Sequence, residues 1–172
     1  MHFCPLSRHN VAIPTHSDVE KIMPLIVSFL HHIEDSLSED LAKLYHNEPR
    51  FPALQPSAIE RLNPLLESPD YRFYSGIFNG KLVAGALTLC TEGLTSFDFL
   101  CVRDATRRRG VGSTLLDEIK KYELARRTTA LSCIINKGDQ DAQAFLQANG
   151  FHPHPEQLDP ARLQWACYLD EL

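Results

Sequence analysis

No apolar run in this chain approaches the roughly 20 residues that a helix needs to cross a bilayer, and residues 1–10 lack the hydrophobic segment of a secretory leader. A membrane partner is therefore not expected. Cysteine is scarce and odd in number: Cys4, Cys90, Cys101, Cys133 and Cys167 sit mostly within apolar runs. That pattern reads as free thiols in a reducing compartment, so a cytoplasmic setting is expected. Internal repeats and low-complexity segments are absent, and 172 residues suffice for one domain with a sizeable core. An overall excess of positive charge is missing too. The formal net charge of −5 argues against nucleic acid as a partner.

What charge there is falls unevenly. Residues 1–70 carry five Lys/Arg against ten Asp/Glu, whereas residues 103–127 carry eight against four. The basic stretch centres on Arg107-Arg108-Arg109-Gly110-Val111-Gly112. An alternating, aromatic-rich run over 97–102 precedes it, and helical periodicity over 113–127 follows, so the order is strand, basic glycine loop, helix. A helix N-terminus presents unpaired N–H groups and roughly half a positive charge. Glycine at 110 and 112 lets an anion approach the backbone, and the arginines add charge suited to phosphate. A Walker loop would need a lysine after its last glycine, but Ser113-Thr114 follows Gly112; a dinucleotide fingerprint would need glycine at 115, which is Leu. What does fit is Arg/Gln-x-x-Gly-x-Gly/Ala, filled by Arg107, Gly110 and Gly112.

Along the chain, helices precede strands. Ser17 and Glu20 form a capping-box pattern, and Val19, Ile22, Met23, Ile26, Phe29, Leu30 and Ile33 make a helical stripe that Pro24 kinks or shortens. A second helix is expected over 38–45, and Ser57 with Glu60 caps a third before Leu62, Leu65 and Leu66. The period then changes. Strands are expected over 71–78 and 82–90 around the Asn79-Gly80 turn, then over 97–102 and 130–135. A helix over 140–149, ending at Gly150, and a strand over 163–169 complete the pattern. Glu34, Asp35, Glu39 and Asp40 read as a solvated helix face that would also attract a cationic acceptor. His31-His32 do not share a helix face, so no metal is expected there, and His152-Pro153-His154-Pro155 reads as a stiff loop. Cys133, between Leu131 and Ile134-Ile135, reads as a core thiol, and Trp165 as core.

On the glycine loop, the order of elements and the closing Gly150-Phe151, the chain resembles the GNAT superfamily of acyl-CoA N-acyltransferases. The resemblance implies one α+β domain over 1–172, with a helical acceptor-side segment at 17–68 and an acetyl-CoA-binding core at 71–151. Its central sheet is mixed and mostly antiparallel, its fourth and fifth strands run parallel and splay apart, and helices cover both faces. The cosubstrate is acetyl-CoA, without a metal. Carried over residue by residue, Leu100, Cys101 and Val102 lie along the pantetheine arm, and Arg107, Arg108, Arg109, Gly110, Val111, Gly112, Ser113 and Thr114 hold the pyrophosphate. Asp139 matches a family Asn and also suits a helix cap. The family often places a tyrosine four residues before the closing glycine to return a proton to the departing thiolate. Here that position is Leu146, which has no proton to give. Transfer to an amine also wants a base; among Glu92, Asp98 and Asp104, Asp98 is best placed on the fourth strand, though it equally suits a solvent-facing strand position.

The segments 72–74, 78–79, 82–84, 100–112 and 144–151 are similar to the PanZ (PanM) branch of that superfamily, above all in Val102-Arg103-Asp104-Ala105-Thr106-Arg107-Arg108-Arg109-Gly110-Val111-Gly112. Members of that branch bind acetyl-CoA and act on the maturation or activity of aspartate 1-decarboxylase. Two functions therefore stand side by side: an acetyl-CoA-dependent N-acetyltransferase for a primary amine of a small molecule or protein, and a weakly catalytic or non-catalytic acetyl-CoA sensor that regulates aspartate decarboxylase. Both leave room for a homodimer. A general coenzyme A or nucleotide binder is a third reading.

Overall fold

Pro24 and the β-branched, aromatic run behind it decide the first element. The computed structural model describes residues 24–46, 48–155 and 159–169, and within it Ile26–Leu30 is a strand, β1. The helix expected through Ile33 is thus corrected, while Ser17, Val19, Glu20, Ile22 and Met23 lie outside the described residues. Proline has no N–H to continue a helical ladder. Ile26, Val27 and Phe29 favour a pleated surface, and β2 (Tyr71–Phe78) supplies an antiparallel partner from Ile26–Ile77 to Leu30–Phe73. Val27 and Phe29 then pack on one face of the sheet while Ile26 stays exposed.

Two short helices follow on the other face, α1 (Ser38–Tyr45) and α2 (Ala58–Leu66). The Ser57 side chain caps α2 by accepting from the Glu60 N–H. Asn63 ties α2 back to the chain before α1, bonding both the N–H and the carbonyl of Ile33. Of the four acidic residues expected on a solvated face, Glu34, Asp35 and Glu39 are exposed, but Asp40 is buried. Its carboxylate accepts from the Leu82 N–H at 3.2 Å, because α1 lies directly on the sheet.

β2 turns into β3 (Lys81–Thr91) at Asn79-Gly80, both at positive φ as the tight hairpin turn requires. β4 (Leu94–Val102) completes the meander. The helix α3 (Val111–Ala125) then crosses over so that β5 (Ala130–Asn136) lies parallel to β4. After α4 (Gln140–Ala148), the sheet ends with β6 (His152–Pro153) and β7 (Arg162–Tyr168), in the order β1-β2-β3-β4-β5-β7-β6. His152-Pro153, read from sequence as loop, instead forms a two-residue edge strand against Trp165 and Ala166, where proline's missing donor faces no partner.

The sheet divides two cores. Leu115, Leu116 and Ile119 of α3 and Leu146 of α4 pack with Tyr74, Phe97, Leu131, Cys133, Phe151 and Trp165. Leu41, Leu44, Leu62 and Leu66 pack with Phe73, Leu82 and Leu87 on the opposite face. The architecture is a mixed, seven-stranded sheet with one parallel pair and helices on both faces.

Candidate functional site

Parallel pairing between β4 and β5 stops early. It joins Leu94 to Ala130, Thr95 to Leu131 and Ser96 to Ser132, and beyond those pairs the strands part. The parting coincides with a bulge: between Gly85–Cys101 and Leu87–Asp98, β4 spends one residue more than β3. Phe99 sits in the bulge at φ 53°, a conformation unusual for an aromatic residue, and Tyr45 Oη donates to its carbonyl at 2.7 Å. Leu100, Cys101 and Val102 therefore lie on the part of β4 that β5 does not cover.

The glycine loop closes one end of this gap. Gly110 takes φ 76°, which only glycine adopts without strain, and serves as N-cap of α3. No side chain caps that helix, so the N–H groups of its first turn, at Val111, Gly112 and Ser113, point to an open end; an anion fits there. Gly112 has a second role. A Cβ on it would stand 3.2 Å from Phe145 Cε2 and 3.4 Å from Val102 Cγ2, so its missing side chain lets α4 and β4 close on α3. Thr114 donates its N–H to Gly110 O, the first turn of the helix. Arg108 and Arg109 are exposed and take part in no ion pair among the described residues. Asp139 caps α4, accepting from the Ala142 N–H at 3.0 Å.

Arg107 is differently placed. It donates Nε to Val102 O at 3.0 Å and Nη2 to Glu48 Oε2 at 3.1 Å, and Nη1 pairs with Asp104 at 3.0 Å. The guanidinium thus spans β4, the turn after it and the segment after α1. Glu48 also takes Arg50 in a two-pronged pair, Nε at 2.8 Å and Nη2 at 2.7 Å. The Arg50 hydrogen bonds, aided by the positive charges of Arg50 and Arg107, hold the Glu48 carboxyl down at about 2 despite its burial. Arg50 stacks over Phe51, whose ring meets Phe99 edge-on at 5.5 Å and Tyr45 at 6.1 Å. A continuous set of contacts therefore links the glycine loop to the bulge. Glu48, Arg50 and Phe51 were not singled out from sequence, where a Glu-x-Arg step in a loop carries no pattern.

Proton donors and acceptors near the gap are few. Asp98, just before the bulge, is exposed and accepts from the Phe99 N–H, and the surrounding protein raises its carboxyl by desolvation. It borders a groove of about 190 Å³ with Leu65, Tyr71, Leu87, Thr88 and Phe99. Leu146 is 3% exposed, sealed in the core beneath α3. Phe145, not Leu146, is the α4 side chain beside Gly112 and Val102. Burial pushes the Cys133 thiol up to about 12 and the Cys101 thiol up to about 11, so neither is a ready thiolate. Cys101 donates instead to Leu44 O. Among the described residues, no three His, Cys, Asp or Glu side chains gather as a metal site.

Known proteins share this fold. The ribosomal-protein-S18-alanine N-acetyltransferase from Escherichia coli superposes with a TM-score of 0.63, at 18% identity over 84% of this chain and 94% of its own. PaiA N-acetyltransferase from Thermoplasma acidophilum, solved in complex with coenzyme A, gives 0.64 at 15% identity over 83% and 99%. These likenesses establish the fold. In sequence, the chain is 34% identical over 136 residues to the PanD regulatory factor of Escherichia coli K12, covering 75% of this chain and 92% of that one. The model of the PanZ acetyltransferase (GNAT) domain matches residues 24–159. With the splayed strands, the bulge and the uncapped α3 all inside that span, this chain belongs to the PanZ family of GNAT domains.

Proposed function

We propose that this protein is an acetyl-CoA-dependent regulatory module that binds an aspartate decarboxylase of the PanD type. The observation that carries this reading is position 146: where transferases of the superfamily often hold a tyrosine, this chain has a leucine that is 3% exposed and locked into the core. General acid help is worth roughly 10²–10⁴-fold in rate, so its loss favours a module that binds acetyl-CoA without turning it over efficiently. The 34% identity to a PanD regulatory factor supports the partner. In this reading the pyrophosphate rests on Arg108, Arg109 and the N–H groups of Val111, Gly112 and Ser113, and the pantetheine arm runs along Leu100, Cys101 and Val102. Asp139 supports the same end from the α4 cap. The setting is cytoplasmic.

Asp98 favours a second reading, N-acetyl transfer to a primary amine. A carboxyl raised by desolvation beside the gap is the kind of group that takes a proton from an incoming ammonium. One pair of measurements separates the two. Size-exclusion chromatography with aspartate decarboxylase is expected to show a complex that forms with acetyl-CoA and not without it, while turnover on an amine panel stays near background. Efficient turnover with no complex would overturn the regulatory reading.

A further inference from the structure

Arg107 opens the phosphate-loop pattern, yet its guanidinium is already spent on protein partners. All three of its nitrogens are engaged: Nε with Val102 O, Nη1 with Asp104 and Nη2 with Glu48. The Glu48 side chain is only 7% exposed, and the oxygen that takes Arg107 also lies 3.9 Å from the Cys101 thiol on β4. Removing the carboxylate would leave Arg107 with the Val102 carbonyl and, as its one remaining counter-charge among the described residues, Asp104, a weak anchor because its side chain is 88% exposed. The same carboxylate fixes Arg50, and through Phe51 reaches the ring of Phe99 in the bulge.

We propose that Glu48 is a positioning residue for the acyl-CoA site, which sets the glycine loop against the bulge of β4 by holding Arg107 and Arg50 at once. The inference rests on the acetyl-CoA reading above and names which of this chain's own residues shapes that site. Glu48 touches no ligand in this account; it acts through Arg107. Arg107 in turn serves as a strut, and the open cations Arg108 and Arg109 are left to meet phosphate. Because the Arg50 and Arg107 partners keep the carboxyl ionised down to about pH 2, the strut is in place across the whole physiological range.

A double-mutant cycle read by calorimetry with coenzyme A tests this. Glu48→Gln, which keeps the shape and loses the charge, is expected to weaken coenzyme A about tenfold. In an Arg107→Gln background the same change is expected to have less than a twofold effect, since the strut is already gone. A merely structural role would produce an equal loss in both backgrounds, and that result, or unchanged affinity in Glu48→Gln, overturns the proposal. Should Glu48→Gln not fold, Glu48→Asp in the same cycle decides by the same criterion. Wild-type protein that failed to bind coenzyme A would refute the acetyl-CoA reading itself, an outcome distinct from a variant that binds like wild type.

Discussion

Tyr74 donates its hydroxyl to Glu123 Oε1 at 2.7 Å, joining the middle of β2 to the last turn of α3. Thr95 and Thr128 donate to the other carboxylate oxygen at 3.0 and 3.2 Å, and Arg72 pairs with Oε1 at 3.4 Å. Glu123 is fully buried and Arg72 nearly so. Desolvation first, then the Glu123 bond, pushes the Tyr74 hydroxyl well up, so it stays a donor. Glu123→Gln leaves a buried guanidinium without a counter-charge. Unfolding in urea is expected to show a loss of about 3–5 kcal/mol, with the midpoint falling and the slope unchanged; a loss under 1 kcal/mol would show that Arg72 finds compensation elsewhere.

Position 146 gives a second test. A tyrosine there must be fitted into a packed core, so Leu146→Tyr is expected to lower stability by about 1–3 kcal/mol. Turnover on amines is expected to stay at background. A rise in kcat with an unchanged melting temperature would mean that the ring reaches the reacting atoms after all.

Arg108 and Arg109 are expected to act additively and at the surface. Each alanine replacement should raise the coenzyme A dissociation constant by about fivefold, close to 1 kcal/mol for an exposed charge contact, and flatten its dependence on ionic strength. Titrations at two salt concentrations check this. Equal slopes for wild type and variants would exclude both residues from the phosphate.

Glu48 makes stability depend on acid. Its folded-state carboxyl lies at about 2 against an ordinary 4.5, so its contribution is complete above pH 4.5 and is lost as pH falls toward 2. Glu48→Gln should therefore narrow the gap to wild type as pH drops through that window. Thermal melts at pH 7, 4 and 2.5 measure it. A constant gap across the three would assign the stabilisation to another group.

How far the sequence speaks depends on whether a residue's partner is near in the chain. The helix over Ser38–Tyr45 and the strand over Tyr71–Phe78 follow the expected limits residue for residue, because the spacing of Leu41, Leu44 and Tyr45 and the Asn79-Gly80 turn are local signals. Ile26, Phe29, Leu30 and Ile33 mislead because their spacing suits a helix as well as a strand, and only the ladder with β2, some 45 residues on, decides. Asp40 looks solvated until Leu82 is brought to it by the packing of α1. The glycine loop was legible from its spacing, whereas Glu48 was not, since its partner Arg107 lies 59 residues away.

Three residue pairs join β4 to β5, against seven between β5 and β7 and seven between β3 and β4. The sheet thus behaves mechanically as two plates meeting along a short seam. A molecular arm lying along that seam has no ladder to break, and the carbonyls and N–H groups left over on either plate are open to it. Opening the seam further strains those three pairs, the bond from the Thr129 N–H to Gly93 O beside them and the packing of Phe97 on Phe151, while the longer ladders on either side stay whole. A partner that straddles both plates would read that opening as a change of shape.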